Sequence, residues 1–384
     1  MAVSLTSAGV AWNDGSIQHA NANAIDTGKL ISIAAYDQAG TYVWSGAIPT
    51  TRSPQAVTWG VFGASIAASG SSPYTVTCSA GSALWNQAVY TNITGTYIEA
   101  KPSQTSCNFM IGLTTTPGAS YTNIEYALYY TASGTIQIYE NGVFVASYGT
   151  YNTTYIGRVT YDGSYIRYYC DPLGTRCLRT VAVTGKTLKG EVAFYNTGVA
   201  NSVYFGNVTH DYATSAYAKV VGGGGGGAGY CESGGAGGYS EGYINVQDQP
   251  GGLTVTVGAG GVAVAYYAAG GTGGTSSFGT MHGLGGQGCN SINSHTGGRG
   301  GVGYGGALNI PGGGGTGHGN SLGAGATAKA GTSYFGSQQH FRYSSATSVG
   351  NGKAPGAGGP GNITNSAQTG MAGAPGAVII YAYK

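Results

Sequence analysis

Residues that could carry out acid–base chemistry are few in this chain. It has only 13 Asp and Glu in 384 residues. A glycan-cleaving enzyme needs two carboxyl groups held about 5–10 Å apart. No spacing singles out such a pair, so we expect no catalytic residues, with a glycan-degrading enzyme as the alternative. The carboxylates that could supply a pair are Glu99, Glu125, Glu140, Asp162, Asp171, Glu191 and Asp211.

The run Gly222–Gly227 suggests a phosphate-binding loop, because glycine amides can cradle phosphates. A Walker loop ends in Gly-Lys-Ser/Thr, whereas this run continues as Ala228-Gly-Tyr230. A dinucleotide-binding fingerprint needs a following helix, which glycine-rich sequence disfavours. The net charge of +2, with no basic run, also argues against nucleic acid as a partner.

Histidines recur in the glycine-rich half, at His282, His295, His318 and His340. Histidine is the commonest transition-metal ligand, but no closely spaced histidine pair occurs here. We therefore predict no metal site and no cofactor.

Cys170 and Cys177 flank the turn-like segment Asp171–Arg176 between two strand-like runs. They could face each other across a hairpin and form a disulfide, or they could be two free thiols. Both readings stay open on the sequence alone. The remaining cysteines show no metal-ligand spacing.

Two segments interrupt the glycine-rich texture and are the predicted receptor-binding sites. Aromatic and arginine side chains on anchored loops are typical of recognition hot spots. In Tyr334–Tyr343 the alternative is that Tyr334, Phe335 and Phe341 pack against the flank of the domain. The second segment is Met281–Arg299. The predicted contact residues are Tyr334, Phe335, His340, Phe341, Arg342, Tyr343, His295 and Arg299.

The elements that must position these residues are strands. No window shows a sustained 3.6-residue apolar period with caps, whereas strand patterns recur with turn signals between them. This pattern predicts an all-β antiparallel sandwich over residues 51–215. The predicted strands are Tyr97–Ile111, Ile124–Tyr130, Thr135–Glu140, Val143–Tyr148, Tyr155–Tyr161, Ser164–Tyr169, Arg179–Val183 and Glu191–Phe194.

We interpret the sandwich as an insertion in a glycine-rich domain. Residues 28–50 give the first strand of that domain, Tyr217–Val221 continues it, and 216–384 forms its receptor-binding body. Three domains in series are the alternative. Residues 1–27, with one plausible strand at Val10–Trp12, are too short to bury a core, so we expect them to attach or oligomerise the chain.

Several motifs, in order, resemble bacteriophage tail fibre and tail-tip proteins. Gly9–Gln18 is similar to the "G-V-T-F-x-D-G-T-x-Q" segment common in those proteins, and Lys219–Gly225 is similar to the opening of their glycine-rich domain. Gly373–Tyr381 closes the chain as such domains usually close. In T-even-type tail-tip adhesins this domain is a sandwich of polyglycine II helices with receptor-binding loops at its distal end.

The physics agrees with that resemblance. A three-fold glycine helix has no internal hydrogen bonds, so its amides and carbonyls must pair with neighbouring helices. The irregular glycine spacing makes a collagen triple helix a poor alternative.

A second resemblance covers residues 97–205. Ile136–Gly142 and Tyr161–Tyr169 are similar to segments of concanavalin-like jelly rolls. Domains of this type often serve only as spacers, so the resemblance implies a fold and leaves a carbohydrate role open.

Together these observations predict a non-catalytic phage tail fibre or tail-tip receptor-binding protein. A structural fibre subunit without its own receptor is a further alternative. We expect a host surface glycan or an outer-membrane protein as the receptor, and tail or baseplate proteins as partners of the N-terminal segment. The resemblance implies a homotrimer. The start Met1–Val10 lacks the features of an export signal, so we expect assembly into virions in the host cytoplasm and release by lysis.

Overall fold

The structure, a computed structural model, describes residues 4–6, 9–11, 17–19, 29–80, 83–228, 233–247, 249, 251–265, 268–290, 296–317, 329–336, 354–361 and 369–384. These residues form strands, extended glycine-rich segments and one 3-10 helix at Tyr121–Asn123. The chain is therefore all-β, as the sequence predicts. Among the residues described, no helix has the length and apolar character needed to span a bilayer.

A small antiparallel sheet lies near the N-terminus. It contains β1 (Ser4–Thr6), β2 (Gly9–Ala11) and β3 (Ile17–His19). β2 corresponds to the strand predicted at Val10–Trp12.

Two antiparallel sheets form the sandwich. Their strands are β6 (Ala47–Pro54), β7 (Trp59–Phe62), β8 (Ile66–Ser69), β9 (Tyr74–Cys78), β10 (Gln87–Thr91), β11 (Tyr97–Pro102), β12 (Phe109–Thr114), β13 (Tyr126–Tyr130), β14 (Thr135–Glu140), β15 (Val143–Thr150), β16 (Ile156–Tyr161), β17 (Tyr165–Asp171), β18 (Cys177–Ala182), β19 (Lys189–Phe194) and β20 (Gly198–Tyr212). One sheet has seven strands, in the order β15-β14-β13-β12-β19-β10-β7. The other has eight, in the order β18-β17-β16-β11-β20-β9-β8, with β6 paired to β20.

The sandwich core consists of interlocking aromatic and aliphatic side chains between the two sheets. Phe109 stacks on Tyr130 at 4.6 Å and on Phe194 at 5.2 Å between ring centroids. The predicted strand Tyr97–Ile111 proves to be two strands, β11 and β12, which belong to different sheets. β11 ends at Pro102, which has no amide hydrogen to continue the ladder.

A second, smaller pair of five-stranded sheets forms a base for the glycine-rich segments. Their strands are β4 (Leu30–Tyr36), β5 (Gly40–Trp44), β21 (Ser215–Val221), β22 (Tyr239–Asn245), β23 (Leu253–Val257), β24 (Ser276–Phe278), β25 (Met281–Gly283), β26 (Gly303–Tyr304), β27 (Leu308–Ile310) and β28 (Ala377–Tyr383). The strand orders of the two sheets are β27-β22-β21-β28-β4 and β26-β25-β24-β23-β5.

Strands from before and after the sandwich are neighbours in this base. β4 pairs with β28, and β5 pairs with β23. The base also contacts the sandwich directly, because the Tyr36 hydroxyl donates to the Cys177 carbonyl at 3.1 Å and the Thr150 amide donates to the Gln38 side-chain oxygen at 2.8 Å. The division into 1–27, 28–50, 51–215 and 216–384 remains our interpretation of the sequence.

Beyond the base, the glycine-rich segments run side by side and bond to one another through their backbones. The segment 222–227 is fully buried and shows the pattern clearly. Its amides donate hydrogen bonds to three neighbouring segments in turn, so that every third amide donates to the same neighbour. The donor and acceptor pairs are Gly222 to Gly238, Gly225 to Gly235, Gly223 to Gly274, Gly226 to Gly271, Gly224 to Ala374 and Gly227 to Met371, at 2.8–3.0 Å.

The carbonyls of the same segment accept hydrogen bonds from other neighbours. Gly286 donates to Gly223, Gly261 donates to Gly224, and Gly359 donates to Gly225, all at 2.8 Å. A three-residue period of lateral bonds, with none inside the segment, is the geometry of polyglycine II packing. The segments that share this lateral bonding are 222–227, 233–238, 258–264, 270–274, 284–289, 297–302, 312–316, 329–333, 356–361 and 370–376. We call them the glycine bundle.

Close backbone approach explains why glycine fills the middle of the bundle. A Cβ atom on Gly224 would lie 1.9 Å from the Ala357 carbonyl oxygen, and one on Gly226 would lie 1.9 Å from the Val262 carbonyl oxygen. Any side chain there would displace the neighbouring backbone. In the outer segment 312–316, by contrast, a Cβ on Gly314 would meet nothing closer than the Gly298 oxygen at 3.6 Å.

Cys78, Cys107, Cys170 and Cys177 are free thiols. Cys170 and Cys177 are both buried and unbridged, so the disulfide considered from the sequence is not formed. Burial raises the pKa of the Cys170 thiol to about 12, which makes it unreactive at neutral pH.

Candidate recognition surface

Two of the predicted receptor-binding residues pack where the bundle meets its base. The Tyr334 ring stacks on Tyr239 of β22 with centroids 3.8 Å apart, and Phe335 meets the same ring edge-on at 5.6 Å. Phe335 also packs against the small cluster of Val221, Tyr239 and Ala377. Tyr334 nevertheless keeps 47% of its surface exposed. This is the flank packing considered as the alternative, with one ring still facing solvent.

Most of the remaining predicted contact residues fall outside the described part of the chain. They are His295, His340, Phe341, Arg342 and Tyr343. Their role in binding stays a prediction.

Arg299 lies on a different element from Tyr334 and Phe335. It belongs to the segment 297–302 at the surface of the bundle, and its carbonyl accepts a hydrogen bond from Gln287 at 2.9 Å. Its side chain is exposed. The described part of the predicted set is therefore divided between the base and an outer glycine segment.

The predicted polar segment Met281–Arg299 is not a single loop. Its first three residues form β25, where Met281 is 1% exposed and belongs to the core. The next residues, 284–289, belong to the glycine bundle. The start of this polar, mixed segment is therefore a strand of the base, paired with β24 on one side and β26 on the other.

The outer glycine segments present side chains at three-residue intervals. Leu284 and Gln287 lie on one segment, and Val302 and Arg299 lie on its neighbour. The backbone bonds from Leu284 to Val302 and from Gln287 to Arg299, both 2.9 Å, set these residues side by side. Because the period is three residues per turn, every third side chain points out and the other two positions must be small.

Successive glycine segments run alternately away from the base and back towards it. Several of their described ends therefore lie together on the side away from the base. The Gly227 carbonyl accepts from Val264 at 3.2 Å, and the Val264 carbonyl accepts from Gly370 at 3.0 Å. At the ends of other segments, Thr316 donates to Lys329 at 2.9 Å. Backbone bonds therefore link the described segment ends at this end of the bundle.

The carboxylates considered for catalysis are mostly held by basic side chains. Glu99 binds Arg158 at 2.7 Å, and Glu140 binds Arg179 at 2.8 Å. The other ion pairs of this set are Glu125–Lys186, Asp162–Arg167 and Asp211–Lys384. Each of these five carboxylates therefore has a basic partner within the described structure.

Glu191 is different, because no basic group bonds to it in the described structure. Its side chain is buried, and one oxygen accepts a long bond of 3.4 Å from the Gly118 amide. Burial raises the pKa of this carboxyl to about 8, so it is mostly protonated at neutral pH. His210 is partly buried, and this burial, followed by the charge of Arg167, lowers its pKa to about 4.

No group of three metal-binding side chains lies together in the described residues. Of the four histidines considered from the sequence, only His282 is described. Its ring stacks on Tyr304 with centroids 4.6 Å apart.

Sequence reasoning missed one further group of residues, an aromatic layer on the sandwich around Trp85. Its members come from separate strands and loops, so no local pattern could reveal them. These residues share one face only because of the strand registers and because alternate side chains of each strand point to opposite faces of the sheet.

Comparison with known proteins places a glycine-rich domain in the second half of the chain. Residues 202–383 match the family model described as "Glycine-rich domain". No curated protein matches the chain.

Solved structures show only distant likeness. The crystal structure of the TRIM65 PSpry domain has 15% sequence identity and a TM-score of 0.30, covering 39% of this chain and 89% of that one. The carbohydrate-binding module CBM66 from Bacillus subtilis has 14% identity and a TM-score of 0.27, covering 41% and 96%. The binding domain of botulinum neurotoxin DC in complex with SialylT has 8% identity and a TM-score of 0.25, covering 85% and 90%. At such scores the likenesses carry no conclusion about function.

Proposed function

We propose that this chain is a receptor-binding protein of a bacteriophage tail fibre or tail tip, which recognises the host surface by non-catalytic binding. The observation that carries the proposal is the glycine bundle with its three-residue ladder of lateral backbone bonds. This is the architecture that the resemblance to T-even-type tail-tip adhesins implies.

A backbone-bonded bundle suits adhesion for a physical reason. Its interior places no demand on side-chain packing, so the chain at the segment ends can change without disturbing the core. Rigid support also spares the ordering entropy that a flexible loop would lose on binding. The bundle would therefore hold a variable recognition surface on a constant scaffold.

Within this proposal the receptor is a host surface glycan or an outer-membrane protein. The N-terminal segment 1–27 would join the chain to other tail proteins, and three copies would assemble. The alternatives are a virion-associated glycan-degrading enzyme and a structural fibre subunit.

Competition for host cells tests the proposal. Purified protein, added in excess to host cells before phage, should lower the adsorption rate, and the cells should retain the protein after washing. Release of reducing sugar from host envelope would instead favour the enzyme. Protein that neither binds cells nor blocks adsorption would overturn the proposal and favour the structural subunit.

Alanine variants then test the predicted contact residues. The triple change Phe341→Ala, Arg342→Ala and Tyr343→Ala should abolish host binding and leave the melting temperature nearly unchanged. Phe278→Ala is the contrasting variant, because Phe278 is 0% exposed and packs edge-on against Trp44 in the base, outside the predicted contact set. It should lower the melting temperature while the remaining folded protein still binds. A large fall in stability of the triple variant would show that those residues are core.

A further inference from the structure

The outward face of the seven-stranded sheet differs from an ordinary solvated sheet face. In β12, β13 and β19 alternate residues point into the sandwich core, as Ile111, Leu128 and Val192 do. The residues between them point outward, and Met110 and Ala193 are buried there in a second cluster. A layer of aromatic side chains packs against these outward residues and shields them from solvent.

Trp85 is the centre of this layer. Its ring lies 5.1 Å from that of Tyr121, 5.5 Å from that of Tyr129 and 5.6 Å from that of Tyr195. Tyr139 extends the layer, edge-on to Tyr129 at 5.7 Å. All five rings are only partly buried, so each retains surface that faces solvent. We call these five residues the Trp85 cluster.

Two asparagine side chains beside the cluster are oriented by the protein itself. The Asn108 side-chain oxygen accepts from the Tyr129 hydroxyl at 2.7 Å and from the Ala132 amide at 2.8 Å. The Asn196 side-chain oxygen accepts from the Asn108 amide at 2.7 Å. Backbone amides can only donate, so the oxygens are fixed on these partners and the two NH₂ groups point elsewhere. They are positioned as donors before any ligand arrives.

The outward face around the cluster carries little charge. Two rows of outward-pointing residues, paired from strand to strand, run across the sheet beneath the cluster. Neither row contains Lys or Arg, and the one acidic residue in them, Glu191, is buried and mostly protonated. The rows read Phe62, Ala88, Ala193, Met110, Tyr129, Gln137, Ser147 and Tyr90, Glu191, Gly112, Ala127, Tyr139, Phe144. These two rows therefore offer no positive charge to an anionic polymer or a lipid headgroup.

We propose that the Trp85 cluster, with Asn108 and Asn196, binds an uncharged sugar residue of a glycan. The apolar C–H face of the sugar would lie on an aromatic ring, and two of its hydroxyl oxygens would accept from the asparagine NH₂ groups. A neutral ligand with one apolar face and acceptors at its rim matches partly exposed rings bordered by fixed donors. This site lies on the sandwich and does not depend on receptor binding by the glycine bundle.

Near-isosteric variants of the full chain test the site. Asn108→Asp and Asn196→Asp keep the oxygens that accept from Tyr129, Ala132 and Asn108, but replace each NH₂ donor with an acceptor. Asn92→Asp is the matched control, because the Asn92 oxygen also accepts from a backbone amide, that of Thr58, beyond the other end of β10. The probe is a printed panel of neutral bacterial polysaccharides and oligosaccharides, followed by titration calorimetry with any glycan bound.

The wild type should bind at least one neutral glycan on the panel. Losing both donors should weaken that binding at least about tenfold, since unmatched polar contacts are costly. The Asn92→Asp control should bind as the wild type does. The proposal is overturned if no neutral glycan binds or if the double variant binds unchanged. Each result is separate from the adsorption test, which reports on the whole chain.

Discussion

The sandwich and the glycine bundle solve the same packing problem in opposite ways. The sandwich interior is filled by side chains, with Phe109, Tyr130 and Phe194 stacked between two sheets. The interior of the bundle is backbone, where Gly222–Gly227 is wholly buried without a single side chain. Apolar burial stabilises the first, while the second depends on satisfying every buried amide and carbonyl.

The difference shows which kind of substitution each region can tolerate. In the sandwich, removing atoms leaves a cavity, and the neighbours relax only partly. In the bundle, adding an atom forces two backbones apart and breaks several lateral bonds at once. The comparison therefore predicts opposite sensitivities, to smaller residues in one region and to larger residues in the other.

Truncating the sandwich core should have the largest effect. Phe194 is 0% exposed and stacks on Phe109, so Phe194→Ala should cost about 3–5 kcal/mol of unfolding free energy. Urea unfolding followed by circular dichroism measures it. Val143→Ala is the control, because Val143 is 66% exposed and should change stability by less than about 0.5 kcal/mol. Equal effects of the two changes would contradict a side-chain core.

Adding one methyl group to the bundle should destabilise it strongly. In Gly224→Ala the new Cβ would lie 1.9 Å from the Ala357 carbonyl oxygen, so we expect a loss of about 1–3 kcal/mol or more. Gly314→Ala adds the same methyl group where the closest atom is 3.6 Å away, and should be nearly neutral. Thermal melts of both variants check this. Similar melting temperatures would mean that the backbone contacts in the bundle are looser than described.

The sequence predicted the fold class well because its signals were local. Thr135–Glu140 was predicted and observed with the same bounds, since alternation of apolar residues and the turn Glu140-Asn-Gly142 lie within a few residues. The lateral bonding of the glycine segments followed from the need to satisfy buried amides. Neither argument requires knowing which distant residues the segment contacts in the fold.

Features set by distant partners could not be predicted in the same way. Tyr334 stands among polar residues in the sequence, and only the fold shows Tyr239 beneath its ring. The free thiols of Cys170 and Cys177 likewise depend on how the strand pairs align, because Cys177 pairs with Tyr169 across a register shift. The Trp85 cluster depends on long-range sheet order.

A smaller effect should appear in the pH dependence of the sandwich. The Glu191 carboxyl keeps its proton up to about pH 8 when folded and loses it near pH 4.5 when unfolded, so stability falls as pH rises between these values. His210 acts in the opposite direction, because the unfolded state takes up a proton near pH 6.5 and the folded state only near pH 4. Between about pH 6.5 and 8, Glu191 changes the stability with pH whereas His210 changes it little, because His210 is mostly neutral in both the folded and the unfolded state there.

Glu191→Gln isolates this effect. The amide oxygen can still accept from Gly118 but has no proton to lose, so the variant should not show the wild-type fall in melting temperature of about 2–4 °C from pH 6.5 to 8. Differential scanning calorimetry across this pH range measures it. The same slope in both proteins would show that Glu191 is ionised in the folded state.

Hydrogen exchange of the Gly222–Gly227 amides tests the central claim most directly. Each of these amides donates to a carbonyl of another segment at 2.8–3.0 Å and is buried, although it belongs to no helix or strand. They should therefore exchange as slowly as the amides of β12 in the sandwich core, many orders of magnitude more slowly than an unstructured glycine run. Exchange at the rate of an unstructured chain would contradict a backbone-bonded core, and with it the scaffold on which the proposed adhesin depends.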